Sequence, residues 1–347
     1  MKFQLAINLE RMKGSQDMAE VARHTVEMVQ MAEEGGFEIV WSAEHHALEM
    51  TIAPNPFQLL TWWASHTSKI RLGTAVVAAA YWHPIRLAGE AAMTDLISGG
   101  RLEFGIGSGA YQREFDRMKP GLKQSDAWQY MHEMLPAVRA LWAGDYAHDG
   151  EYWSFPTSTS VPKPIQSEVP VWIAARAPLT FDYAVKQGCN IMSWPITRPM
   201  SEVEIYMQRL DEALSANPGK RRPKIAMMRH TAIYDTEAQK DGPIRAARQQ
   251  LGQFANLFRN LEDVEDGFPE GVDLDQLDNS ADYAPEALLQ NCMFGTPDQA
   301  IKKLKLYELM GVDQFLYFAS MGLDLAAQKR SLELFCKEVM PVFSDAT

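Results

Sequence analysis

The sequence predicts an α/β protein: a closed (β/α)8 TIM barrel with an insertion after the seventh strand. Three observations predict it. Short apolar runs alternate with helix-like stretches in an almost unbroken order along the 347 residues. The runs are continuously apolar, as strands buried on both faces must be. Ionisable residues gather where runs end, and in parallel barrels the loops leaving the C-terminal ends of the strands carry the chemistry. A doubly wound open sheet is the other arrangement this order allows.

Strands read at 3–9, 37–41, 70–77, 102–106, 171–175, 190–194, 225–234 and 314–319. The first helix reads at 17–33, with Val21, Met28, Val29 and Ala32 on one face, and stops at Gly35-Gly36, a C-terminal glycine signal. Further helices read at 56–66, 85–98, 127–143, 179–187, 201–216, 236–260, 297–310 and 323–339. Thr296-Pro297-Asp298 opens one of these with an N-cap and a proline at the first helical position. No composition shift marks a boundary, so 1–347 reads as one domain. Two stretches break the order. Segment 144–170, rich in Pro, Ser and Thr, reads as a small strand excursion. Segment 262–292, acidic and without strong periodicity, reads as a mobile lid or else as a plain surface loop.

The most telling motif is Val40-Trp41-Ser42-Ala43-Glu44-His45-His46, where an apolar run ends in a carboxylate and two imidazoles. A surface loop with incidental histidines is the alternative. Neighbouring residues on an extended chain point to opposite faces, so both imidazoles do not reach one ion. With no third ligand converging on them, no metal is expected. His83, in Tyr81-Trp82-His83-Pro84, reads as a capping or packing residue. Gly105, Gly107 and Gly109 end the fourth strand and would let backbone approach a ligand closely; a tight turn uses the same glycines. Ala174-Ala175-Arg176-Ala177-Pro178-Leu179-Thr180 runs from strand five into a helix. Its N-terminal N–H groups, with Arg176 and the Thr180 hydroxyl, suit a single phosphate, or else form an ordinary helix start. Trp62, Trp63, Tyr81, Trp82, Tyr111 and Trp194 would suit an apolar pocket at the barrel mouth, or else pack in the core.

Composition narrows the classes. The chain is 46% hydrophobic and 22% charged, ordinary for a globular protein. A net charge of −12 argues against nucleic acid, whose phosphates need a basic surface. Cys189, Cys292 and Cys336 lie far apart, giving neither a disulfide framework nor a metal motif. The start reads as a strand rather than a signal peptide, and no apolar run reaches membrane-spanning length. A cytoplasmic location is the expectation, with no membrane partner.

Taken in order, these pieces resemble the luciferase-like flavin-dependent monooxygenase family, and within it the alpha subunit of bacterial luciferase. The resemblance is carried by the first strand, by Gly36 to His46, and by Asn55-Pro56. It continues through Leu72-Gly73-Thr74-Ala75-Val76-Val77, His83-Pro84, Asp95 to Arg101 and Phe104-Gly105-Ile106. Later matches are Ser193-Trp194, Gly295-Thr296-Pro297 and Val339-Met340-Pro341. It implies a barrel that binds flavin mononucleotide (FMN) at its C-terminal mouth. The FMN would arrive reduced from a separate flavin reductase and activate dioxygen as a flavin hydroperoxide. It implies His45 as the catalytic histidine, and Glu44 orienting an imidazole or touching the flavin. It implies a cis non-proline peptide at Ala75-Val76 against the flavin ring, Tyr111, Ser193 and Trp194 in the flavin pocket, and phosphate binding by the turn of Arg176, Ala177 and Thr180. It also implies dimers paired through the helices after the early strands, here 55–66 and 85–98; a homodimer is expected.

Departures from the luciferase pattern are informative. Gly107 replaces a reactive cysteine, Ser108 replaces a phosphate-binding arginine, and Arg176-Ala177 replaces an acid and a serine. Arg176 would then take over phosphate neutralisation, with Lys123 a weak second cation. The leading expectation is a monooxygenase acting on a small apolar aldehyde or ketone. The alternatives are deazaflavin-dependent hydride transfer and a non-catalytic flavin-binding subunit.

Overall fold

The computed structural model describes residues 1–259, 263–273 and 282–344. Eight parallel strands form its centre: β1 (Lys2–Ala6), β2 (Ile39–Ser42), β3 (Arg71–Thr74), β4 (Leu102–Gly107), β5 (Val171–Ala174), β6 (Asn190–Ser193), β7 (Ile225–Ile233) and β8 (Gln314–Phe318). Each pairs with its neighbour in sequence, and β8 pairs with β1 in register Lys2 to Gln314 through Ala6 to Phe318. That last pairing closes the sheet and excludes the open doubly wound alternative.

Side chains alternate in and out along each strand. Ala6, Ile39, Trp41, Trp172, Met192, Ala226, Leu316 and Phe318 pack inside the barrel. Gly73 is required there, because a Cβ at that position would run into the Trp41 ring. The outward set, including Leu5, Val40, Leu72, Phe104, Ile173, Ile191 and Phe315, packs under the helices in the main core.

Eleven helices belong to the description: α1 (Met18–Gly35), α2 (Pro56–Ala64), α3 (Pro84–Ile97), α4 (Gln112–Met118), α5 (Trp128–Ala143), α6 (Pro178–Lys186), α7 (Met200–Ala216), α8 (Asp241–Arg259), α9 (Pro285–Asn291), α10 (Pro297–Leu309) and α11 (Leu325–Leu334). Local signals set their ends. Asp17 caps α1 by accepting from the Ala19 N–H, and Gly36 stops it in the left-handed region at φ 90°. Asn55 and His83 cap α2 and α3, so His83 is the capping residue its sequence context suggests. Thr296 and Gln299 form a capping box on α10.

Several boundaries differ from the sequence reading. Residues 7–9 pass beyond the sheet, where Leu9 bridges to Ile52. The third strand breaks at a cis Ala75-Val76 peptide and resumes as the two-residue Val77–Ala78, paired to β4. The helix expected at 236–260 starts at Asp241, and residue 260 lies outside the described residues. The last helix changes to a π-turn at Phe335–Val339. Short α4 has no counterpart in the sequence reading. Segment 144–170 contains an antiparallel hairpin, Tyr146–Asp149 with Ser154–Ser158. Of the segment read as a lid, residue 262 and residues 274–281 lie outside the described residues. The rest holds a ribbon of Val264–Glu265 and Phe268–Pro269, then α9. Among the described residues, no helix is long and apolar enough to cross a membrane.

Candidate active site

A cavity of about 600 Å³ opens at the C-terminal end of the barrel. His45, Glu44, Ala75, Val76, Ser108, Tyr111, Arg176, Ala177, Thr180, Ser193 and Trp194 all line it. The sequence therefore pointed to one place, drawn from the ends of β2 to β6. Of the aromatics that suit either pocket or core, Tyr111 and Trp194 line the cavity, and Trp62, Trp63, Tyr81 and Trp82 do not. Trp63 is buried in the main core beneath α2. Trp82 serves a carboxylate instead.

That carboxylate is Glu44. Its Oε2 accepts from the Ala78 N–H at 2.8 Å and from Trp82 Nε1 at 2.9 Å, and its Oε1 lies 2.8 Å from His46 Nε2. Glu44 thus orients His46, not His45. Burial lowers the His46 pKa, but the Glu44 hydrogen bond and the charges of Glu44 and Glu114 outweigh it, and the net shift is upward.

His45 is held from another element. Its Nδ1 lies 3.2 and 3.3 Å from the two oxygens of Glu114 in α4. Glu114 Oε1 also accepts the His46 N–H at 2.7 Å. Glu114 is buried, lines the cavity and escaped the sequence reading. Its only local signal is a carboxylate in the first turn of a short helix after a glycine-rich strand end. The Tyr111 ring lies 5.2 Å from that of His45 and packs against Phe254 and Phe258 of α8. Burial and then the Glu114 charge push the Tyr111 pKa well upward, so its phenol keeps its proton.

At the other end of the cavity, α6 begins after Ala177 with Pro178 at its first position and no side-chain cap. Arg176 is exposed there, and Arg209 of α7 donates to its carbonyl oxygen. The Thr180 hydroxyl donates back to the Ala177 carbonyl at 2.7 Å, and Ser193 Oγ donates to the Ala175 carbonyl at 2.7 Å. Lys123 is exposed and does not line the cavity; its neighbour Gln124 does, beside Trp128 and His132. Between the two ends lie the small side chains of Ala6, Ala75, Val76, Gly107 and Ala174. A Cβ on Gly107 would stand 2.6 Å from Val76 Cγ2, so only glycine keeps this floor flat. Among the described residues, no cluster of three His, Cys, Asp or Glu side chains is placed to hold a metal.

The model of the luciferase-like monooxygenase family matches residues 1–314. The chain belongs to the luciferase-like monooxygenase family. This luciferase-like monooxygenase is 39% identical to the oxygenase component of a flavin-dependent trigonelline monooxygenase from Acinetobacter baylyi, over 100% of this chain and 96% of that one. It is 29% identical to the alkanal monooxygenase alpha chain of the Kryptophanaron alfredi symbiont, over 55% of this chain and 54% of that one. Among solved structures, the monooxygenase RslO1 from Streptomyces bottropensis superposes with a TM-score of 0.77 at 25% identity, covering 99% of this chain and 100% of that one. The family expected from the sequence is therefore the right one, and this luciferase-like protein is a flavin-dependent monooxygenase.

Proposed function

We propose that the chain is the oxygenase component of a two-component system. It takes reduced FMN from a separate flavin reductase and inserts one atom of dioxygen into a small apolar aldehyde or ketone. One observation carries the reading: a carboxylate-held imidazole and an uncapped helix start beside Arg176 face one cavity across a floor of small side chains. The cavity volume falls within the usual range for small-molecule sites, about 300–1,000 Å³. A planar ring fits against Ala75, Val76 and Gly107, with Ser108, Tyr111, Ser193 and Trp194 around it. Arg176, Ala177 and Thr180 would take the phosphate, using the guanidinium and the helix N-terminus. The Thr180 hydroxyl and N–H both donate to the Ala177 carbonyl here, and the hydroxyl would turn from it to reach a phosphate.

Reduced FMN, when bound, supplies the two electrons that activate dioxygen. The chain supplies the rest. His45 gives and takes a proton at Nε2, the ring nitrogen not engaged by Glu114. Trp194, Phe254, Phe258 and Phe318 line the apolar side and exclude water. A second substrate reading is trigonelline itself, favoured by 39% identity along the whole chain to the relative that acts on it. The described parts of the acidic segment, 263–273 and 282–292, are proposed to belong to a lid over the site. A second copy of the chain is proposed to cover α2 and α3, where Met93, Leu96 and Ile97 are exposed.

The test is turnover by the purified chain with a flavin reductase, measuring oxygen consumed per product over a panel of aldehydes, ketones and trigonelline. Coupled oxygen uptake that collapses in His45→Ala is expected. Turnover without oxygen would favour the deazaflavin alternative. No turnover by the chain alone would favour the non-catalytic one. Unchanged coupling in His45→Ala would remove His45 from the chemistry.

A further inference from the structure

Two buried carboxylates stand on either side of the paired imidazoles, and they have different tasks. Glu44 comes from the same loop and spends its oxygens on His46, the Ala78 N–H and Trp82. Glu114 comes from α4, 69 residues away from His45 in sequence, and has only 2% of its side chain exposed. It meets the His45 ring and the His46 N–H. Among the described residues, no arginine or lysine forms an ion pair with it. A carboxylate this buried is held at a cost unless hydrogen bonds compensate it, so its two contacts with the histidine loop are the reason its placement is tolerable.

We propose that Glu114 is the positioning residue that fixes the tautomer and aim of His45. An ionised carboxylate only accepts hydrogen bonds. The Nδ1 of His45, at 3.2 and 3.3 Å from it, must therefore carry the proton. In the neutral ring Nε2 then holds the lone pair, and Nε2 is the nitrogen left for the cavity. The backbone contact fixes the rest of the geometry. Because Glu114 also holds the His46 N–H at 2.7 Å, it fixes the peptide that follows His45 as well as its ring. The tilted Tyr111 ring, itself stacked on Phe254, packs 5.2 Å from the imidazole and limits its rotation. The inference rests on the reading of His45 as the proton-transfer group, but the tautomer can be measured without that reading.

The geometry also dictates the most informative variant. Glu114→Gln keeps the size and can still accept the His46 N–H through its amide oxygen. Its amide NH2 then faces Nδ1 as a donor, which favours the opposite tautomer, with the proton on Nε2. Wrong-tautomer substitutions in histidine–carboxylate pairs lower turnover by up to about 10⁴-fold while leaving geometry intact.

The experiment uses the full chain without cofactor, with imidazoles labelled with nitrogen-15. His45 resonances are assigned by their loss in His45→Ala. In the wild type, Nδ1 is expected to show the shift of a protonated nitrogen and Nε2 that of a bare one. In Glu114→Gln the two are expected to exchange, and kcat with reduced FMN to fall by at least about 100-fold, with the FMN dissociation constant unchanged. Glu114→Asp, still an acceptor, is expected to keep the wild-type tautomer and recover part of the rate. An unchanged tautomer in Glu114→Gln overturns the proposal, whatever happens to the rate. A tautomer that exchanges while kcat stays at the wild-type level leaves the positioning intact and overturns the catalytic reading of His45 instead. Near-ultraviolet circular dichroism confirms that each variant is folded; if Glu114→Gln is not, Glu114→Asp carries the test, and loss of its Nδ1 proton overturns the proposal.

Discussion

Trp82 Nε1 donates to Glu44 Oε2 across 2.9 Å, and the Ala78 N–H ends on the same oxygen at 2.8 Å. The indole thereby joins the stretch after the cis peptide to the loop that carries both histidines. Glu44 is a clamp between the ends of β2 and β3 before it is anything else. Glu44→Ala strands two buried donors at about 1–3 kcal/mol each. Urea denaturation should show a loss of about 2–6 kcal/mol, and Trp82→Phe a smaller one. A Glu44→Ala variant as stable as the wild type would remove the clamp.

His46 gives a pH prediction. Its folded-state pKa lies above the ordinary imidazole value of 6.5, because Glu44 and Glu114 outweigh burial. A raised imidazole pKa contributes stability that is fully present below the unfolded-state value and is lost as pH rises through the folded-state one. The stability difference between wild type and His46→Gln should therefore be larger at pH 6 than at pH 9. Denaturation curves at the two pH values measure it, and a difference that grows toward pH 9 contradicts the sign.

Arg176 makes a selective prediction. Its guanidinium is exposed beside an uncapped helix start and faces the cavity. Arg176→Ala should weaken FMN binding about 10-fold, the effect of losing one charge-assisted contact of roughly 1.5 kcal/mol. Riboflavin, which has no phosphate, should bind both proteins alike. Equal losses for the two flavins would place the phosphate elsewhere.

Arg229 is fully buried in β7. Its guanidinium donates to Tyr307 Oη at 2.8 Å and to the carbonyls of Ile196 and Arg198 at 2.9 and 2.7 Å. It therefore shapes the loop after β6 that carries Trp194. Arg229→Met leaves those acceptors unpaired and should cost about 3 kcal/mol or more in denaturant. A blue-shifted or broadened tryptophan emission in the variant would report the displaced loop, and an unchanged stability would contradict the assignment.

The barrel was legible because its strands are short, apolar and separated by helices with clear stop signals, such as Gly36 after α1 and Asn55-Pro56 before α2. Strand ends were less legible. Residues 7–9 are as apolar as β1 itself, and only the neighbouring strands decide where pairing stops. The histidine loop and the α6 turn could be picked out because each places its chemical groups within a few consecutive residues. Glu114 could not. Gln112–Met118 is too short for a helical period to show, and the contact that gives Glu114 its meaning spans 69 positions. Arg229 and Phe254 were hidden for the same reason: a buried guanidinium and an aromatic side chain look like any others until the fold supplies their neighbours. The aromatics could not be sorted between core and pocket, because Trp63 and Trp82 follow local patterns that suit both.

The Glu49 N–H donates to the carbonyl of Gly267 at 2.7 Å, and the His45 N–H donates to the carbonyl of Ala53 at 3.2 Å. The ribbon inserted after β7 is therefore fastened to the same stretch of chain that carries the histidines. Exchanging that insert for one of another length would also pull on the loop that carries His45. Motion of the ribbon would therefore reach the histidine loop through the Gly267 anchor.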